Sequence, residues 1–304
     1  MEQEILEILK DVRGDLDFTK ETKLLTEEVL DSFDILSLLD AISERLQIEV
    51  EVEDITEENF NSYKAICRYL EKQKKGRRSE ITEKDRKMEQ ELWGKERTLF
   101  DLKYPAEEVV RFLKKNFREP DTKTILDFAC GSGRNIIPMS DMGFQNIIAM
   151  DYNRCCLELA KEKCAQKNIE YIQNERLEIP LMDESLDCIV AYGALFYFSE
   201  EERIAFAKEM HRILKPGGMV LADFRGLDDR FFGMGKEMEP NLFLLDERAG
   251  ALQKMIYWFC NGRDLYQLYE SCGFTITNME RKLQWMNNLK EKVDHYIVWL
   301  KKKS

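Results

Sequence analysis

No apolar run in the 304 residues approaches the ~18–20 that a membrane-spanning helix needs, so no spanning segment is expected. The eight cysteines show no C-x-x-C pair. That spacing speaks against a zinc site and a disulfide framework and for free thiols in a reducing compartment. Histidine is scarce. His211 falls in a helical run and His295 opens a late apolar strand, so both read as structural and neither as a catalytic base. The opening Met1-Glu2-Gln3-Glu4 is acidic, whereas a secretory leader starts basic and turns apolar; a cytoplasmic protein is expected. No internal repeat is present.

What is abundant is negative charge, and it is unevenly placed. The net charge of −12 is concentrated in residues 1–71, which hold 20 acidic and 7 basic side chains, while the remainder is close to neutral. Such asymmetry argues for separate modules. An acidic front module disfavours nucleic acid and suits basic protein partners.

The apolar pattern supports the same division. Residues 1–71 repeat apolar positions three and four apart: Ile5, Leu6, Ile8 and Leu9, then Phe33, Leu36, Leu39, Ile42 and Leu46. A helix is expected from about Ser32 to Leu46, capped by Asp31 or Ser32. Ile48 to Val52 reads as a short extended piece, and Ser62 as the cap of a last helix. Residues 72–88 are dominated by charge and read as a solvated linker. Residues 89–304 alternate strands and helices: Thr124–Phe128, Asn146–Asp151, Glu170–Gln173, Leu186–Tyr192 and Gly218–Phe224 are the expected strands. Phe274–Arg281 and His295–Lys301 look like two further strands joined by a longer connection. Repeated strand–helix units predict an α/β fold, a parallel sheet covered on both faces.

The strongest local signal is Ile125-Leu126-Asp127-Phe128-Ala129-Cys130-Gly131-Ser132-Gly133-Arg134-Asn135, an apolar strand running into a turn of small residues. Small residues let the backbone approach a ligand closely. Twenty residues past Gly131 a second strand ends in Asp151, followed by Tyr152; an acid there can accept both hydroxyl hydrogens of a ribose. A dinucleotide fingerprint needs a third glycine where Ile136 stands, which disfavours a pyrophosphate-bearing cofactor.

The turn resembles instead the D-x-G-x-G-x-G motif of class I S-adenosylmethionine-dependent methyltransferases, with Ala129 in place of the first glycine. The likeness continues in Glu175-Arg176-Leu177-Glu178-Ile179-Pro180, Leu214-Lys215-Pro216-Gly217-Gly218 and Cys272-Gly273-Phe274. It implies a Rossmann-like seven-stranded sheet. It also implies that Asp127, Ala129, Gly131, Gly133 and Arg134 hold the amino acid end of the cofactor. Asp151 would bind the ribose with Tyr152 beside it, and Glu175 and Arg176 would border the adenine. Tyr192, ending the fourth strand, would border the transferred methyl, either bonding the acceptor or lining its pocket. Residues Phe231 to Phe259 fall where such enzymes carry acceptor-shaping insertions; a lid with its own small core is the alternative.

Leu30-Asp31-Ser32-Phe33-Asp34, opening an acidic amphipathic helix, resembles the D-S-L motif of acyl and peptidyl carrier proteins. That resemblance implies a small all-α four-helix domain. It makes Ser32 the attachment site of 4'-phosphopantetheine, with a phosphopantetheinyl transferase and an acyl- or aminoacyl-loading enzyme as partners. The combined expectation is methyl transfer from S-adenosylmethionine to an intermediate tethered on the carrier. The alternatives are a free small-molecule acceptor, with the carrier as a docking module, or a cofactor-binding scaffold without turnover. No catalytic base, metal, nucleic-acid or membrane partner is legible.

Overall fold

Apolar residues at helical spacing build the front of the chain. The structure, a computed structural model, describes all residues except 1, 21–22, 28, 47, 49, 51, 77–101, 166–167, 176 and 304. The chain divides into two compact units, Met1–Ser79 and Glu80–Ser304. In the first, α1 (Glu2–Val12) buries Ile5, Ile8 and Leu9, and α2 (Ser32–Leu46) buries Leu38 and Ile42 in the same core. The single turn α3 (Glu57–Phe60) and α4 (Tyr63–Gly76) add Phe60, Ile66 and Leu70. Ser62 caps α4, its Oγ accepting from the Ala65 N–H at 3.2 Å.

Two boundaries differ from expectation. Ile48 to Val52 forms no strand among its described residues; a 3-10 turn begins at Val52 instead. Tyr69 Oη donating to Asp54 Oδ2 at 2.7 Å holds the turn. Helix α4 also runs to Gly76, into the stretch read as linker, since its Lys and Gln residues favour helix. The rest of that stretch, and Trp93 beyond it, lie outside the described residues.

The start of α2 assigns its cap. Asp31 Oδ1 accepts from the N–H groups of Phe33 and Asp34, both at 2.8 Å, and Asp34 Oδ2 accepts in return from the Asp31 N–H at 3.1 Å. Arg13, donating to Asp34 Oδ2 and to the Val29 carbonyl at 3.1 Å each, ties this pair to the preceding loops. Asp31 is therefore the cap. Ser32 is the first helical residue, exposed, with no hydrogen bond to its hydroxyl among the described residues.

In the second unit, strands β1 (Thr124–Phe128), β2 (Asn146–Asp151), β3 (Ile169–Gln173), β4 (Leu186–Ala191) and β5 (Leu214–Gly226) pair in parallel in the order 3-2-1-4-5. The middle strands are apolar on both faces, as a sheet covered on both sides requires. Leu126, Ile148, Ile189 and Ala222 face α8 (Glu200–Ile213) and α9 (Gly262–Ser271). Ile125, Ala149, Val190 and Leu221 face α5 (Glu107–Asn116), α6 (Ile136–Asp141) and α7 (Arg154–Lys163). All five carboxyl ends consequently reach one edge.

Three further strands, β6 (Gly235–Glu239), β7 (Leu242–Leu245) and β8 (Ile256–Cys260), form an antiparallel meander absent from the sequence reading. Arg225 and Gly226, at the end of β5, pair with Phe259 and Cys260 in β8. Since β10 (Glu291–Lys302) holds the other side of β5, the meander continues on the β4 side beyond the point where β4 stops. The sheet thus has ten strands, the expected seven plus this insertion. β9 (Phe274–Met286) and β10 also exceed expectation: they form one long hairpin closed at Asn287–Lys290, not two short strands with a long connection. Asn287, Asn288 and Leu289 take positive φ there, and asparagine tolerates that region better than most residues.

The cap geometry predicts different costs for adjacent residues. Asp31→Ala should weaken α2 by about 1 kcal/mol, and Ser32→Ala should change stability by less than about 0.5 kcal/mol. Hydrogen exchange of the α2 amides in the full chain checks both.

Candidate functional site

The edge where β1, β2 and β4 end carries the acids and the glycine turn. Asp127 lies in β1, 1% exposed, and its Oδ2 has no hydrogen-bond partner among the described residues. Burial pushes its carboxyl up to about 8, the Asp151 charge acting in the same sense and Arg134 against it. Asp151, the last residue of β2, is also buried, and its carboxyl is pushed up to about 6 by burial. Its Oδ2 accepts from the Gly131 N–H at 2.9 Å and its Oδ1 from the Asn153 N–H at 2.8 Å. These two bonds fix the acid against the turn, while each oxygen keeps a second lone pair.

The turn has the conformation that its small residues suggest. Ala129, Gly131 and Gly133 take φ of 54°, 54° and 84°. A Cβ at Gly133 would stand 3.1 Å from Ala160 Cβ on α7, so this glycine permits the turn to pack on the helix. A Cβ at Gly131 would meet nothing within 4 Å; its glycine is favoured by φ alone. Ala129, where the resembled motif has glycine, sustains the same backbone at a cost of roughly 1–2 kcal/mol. The helix after the turn starts only at Ile136 and is six residues long.

The remaining sequence candidates gather around this edge, with one outside the description. Arg134 is half-buried, its guanidinium 5.7 Å from the Tyr192 ring centre. Tyr152 is half-buried directly after Asp151, its carbonyl accepting from Gln173 Nε2 at 3.2 Å. Glu175 is exposed and borders a cleft of about 500 Å³ with Gln173, Asn174, Ile179 and Pro180. Arg176 lies outside the described residues. Tyr192 donates to Glu108 Oε2 at 3.1 Å, and Glu108 also pairs with Lys282 on β9. Burial pushes the Tyr192 hydroxyl well above its usual range, which disqualifies it as a base near neutral pH.

The sequence reading missed two groups at this edge. Asp223, buried on β5, accepts from the Gly193 N–H at 2.5 Å. Glu108, on α5, reaches Tyr192 across 84 residues of sequence. An acid interrupting the apolar run Val220-Leu221-Ala222 was the available signal for Asp223; none marked Glu108.

This donor and acceptor set fits S-adenosylmethionine. A buried carboxylate with an orphaned oxygen suits the ammonium of the amino acid end, and an acid ending β2 suits a vicinal diol. Residues 125–218 match the family described as a methyltransferase domain. Demethylmenaquinone methyltransferase of Staphylococcus aureus is 28% identical over 163 residues, which span 49% of this chain and 66% of that protein. A methyltransferase of Methanosarcina mazei dependent on the same cofactor shares the fold at a TM-score of 0.55 and 21% identity, over 63% of this chain and 97% of that one. The 1,6-didemethyltoxoflavin-N1-methyltransferase of Burkholderia thailandensis, solved with 1,6-didemethyltoxoflavin and S-adenosylhomocysteine, does so at 0.55 and 15%, over 70% and 85%. Residues 125–218 thus match a methyltransferase domain, and the second unit shares the fold of S-adenosylmethionine-dependent methyltransferases.

The raised Asp127 carboxyl gives this site a proton linkage. Below a pKa of about 8 the group is mostly protonated in the free protein, and a bound ammonium favours its charged form. Binding of S-adenosylmethionine at pH 7 should therefore release close to one proton. Affinity should fall as pH drops from 8 to 6. Calorimetry in two buffers of different ionisation enthalpy measures the release, and Asp127→Asn should abolish it.

Proposed function

We propose that this protein transfers the methyl group of S-adenosylmethionine to an acyl or aminoacyl intermediate carried on its own Ser32 by 4'-phosphopantetheine. In this reading Asp127 and the turn from Ala129 to Arg134 hold the amino acid end of the cofactor, Asp151 and Tyr152 the ribose, and Glu175 and Arg176 the adenine border. The cofactor supplies an electrophilic methyl on a sulfonium. The protein's part is to align that methyl with an acceptor lone pair, and positioning alone supplies much of the rate.

One observation carries the tethered acceptor: Ser32 starts α2 exposed, its hydroxyl released from capping by Asp31 and Asp34. Phe33 and Leu36, 78% and 60% exposed, stand beside it on the same helix. Apolar side chains so placed suit enzymes that must recognise the helix to load it. A flexible arm on the same chain raises the acceptor's effective concentration to order mM. The four-helix unit and its acidity agree with a carrier. A free small-molecule acceptor is the second reading, favoured by the S. aureus relative, whose name specifies demethylmenaquinone.

Two measurements separate these claims. Calorimetry should show S-adenosylmethionine binding, weakened roughly 10- to 100-fold by Asp151→Ala, the value of one or two hydrogen bonds to a charged group; absence of binding by the wild type refutes the methyltransferase reading. Incubation with coenzyme A and a phosphopantetheinyl transferase should add one arm by intact mass, and Ser32→Ala should prevent it. An unmodified chain, under conditions that modify a control carrier, sinks the tethered acceptor and leaves the free one.

A further inference from the structure

His295 was read from the sequence as structural, and its surroundings argue otherwise. It lies on β10 in register with Arg225 on β5 and Lys282 on β9. Its Nδ1 is 3.7 Å from Asp223 Oδ2. Its Nε2 is buried and has no hydrogen-bond partner among the described residues. Packing alone does not account for that atom, because a buried polar group without a partner costs free energy comparable to a lost hydrogen bond. The Nε of Arg225, the register partner, is likewise buried and unpartnered.

The same Asp223 joins this histidine to the cofactor turn. Its other oxygen holds the Gly193 N–H, one residue beyond Tyr192, and the Tyr192 ring lies under Arg134 of the turn. Asp127, Arg134, Tyr192, Asp223 and His295 thus form one polar row across the ends of β1, β4, β5 and β10. On its far side Arg225 rests against Phe196 and Tyr257, at 5.3 and 5.4 Å from their ring centres, so an apolar wall adjoins the row.

Resting on the methyltransferase reading, we infer that His295 is the base that takes a proton from the acceptor, with Asp223 as the residue that positions it. Burial raises the Asp223 carboxyl; in its ionised form, 3.7 Å from Nδ1, it favours the tautomer with hydrogen on Nδ1 and a bare Nε2. Burial and Arg225 hold the imidazole below its usual range, against the opposing pull of Asp223, Asp229 and Asp294. Lys282, opposite on β9, is paired with Glu108. A neutral base at pH 7 is the result.

The bonds balance without a further reactant. The electron pair of the acceptor's X–H bond becomes the new X–CH3 bond, the S–CH3 pair returns to sulfur, and the proton passes to Nε2. The positive charge leaves the sulfonium and appears on an imidazolium beside Asp223. This specifies the acceptor class as a protic nucleophile: a hydroxyl, an amine N–H or an acidic C–H. The unpartnered Nε–H of Arg225, the register partner of His295, favours one whose oxygen gains negative charge as the proton leaves.

The chain's two histidines make the test direct and independent of the acceptor. In the 15N-histidine-labelled full chain, NMR should show neutral His295 protonated on Nδ1 and bare on Nε2. Its pKa should be lower by roughly half a unit or more with S-adenosylmethionine than with S-adenosylhomocysteine, since only the former puts a like charge nearby. His211, packed on Phe274 at 5.5 Å, should titrate alike in both complexes. Asp223→Asn should lower the His295 pKa further and mix its tautomers. Equal His295 pKa values in two saturated complexes, or a proton on Nε2 in the neutral form, would overturn the inference. Failure of either cofactor to bind refutes instead the functional reading beneath it.

Discussion

A carboxylate buried with one oxygen unsatisfied, that of Asp127, is the constraint around which the second unit is organised. A group in that state is costly in its charged form, so the free protein keeps it mostly protonated. Arg134 offsets part of that cost, and a bound cation would offset more. Asp127 sits among Ile125, Leu126 and Phe128 of β1, a turn of small residues follows it, and Asp151 braces that turn through Gly131.

Several charged or polar groups at the rest of the edge face one another. Tyr192 is tied to Glu108, Glu108 to Lys282, and Asp223 faces His295. The meander of β6, β7 and β8 exploits the one vacancy that the topology leaves, the side of β5 beyond the end of β4. Its Tyr257 therefore comes to lie against Arg225 at the end of β5 rather than in a remote lid. The front unit solves a separate problem. Asp31 and Asp34 satisfy the start of α2, which leaves Ser32 chemically idle in the fold and hence available.

Much of this was legible because it depends on local rules. The parallel strands follow from apolar runs broken by small-residue turns, and the ligand edge follows from acids placed at strand ends. The extent of the last hairpin was not legible, since residues 282–293 are charged or solvent-facing and alternate too weakly to signal a strand. The meander was hidden for a related reason. Its short strands carry aromatics and methionines that fit a pocket lining as readily as a small sheet.

The sequence by itself pointed to the α/β fold of the second unit, to the separation of an acidic front from a near-neutral remainder, and to Asp127, Gly131, Gly133 and Asp151 as neighbours at one strand edge. Those residues lie within 25 positions of one another, and local geometry suffices to join them. Tertiary structure alone decided that Asp31 caps α2, that Tyr192 is spent on Glu108, and that His295 faces Asp223. Each of the last two pairs unites strands or helices more than 70 residues apart. No periodicity in a sequence reports which side chains two distant elements turn toward each other.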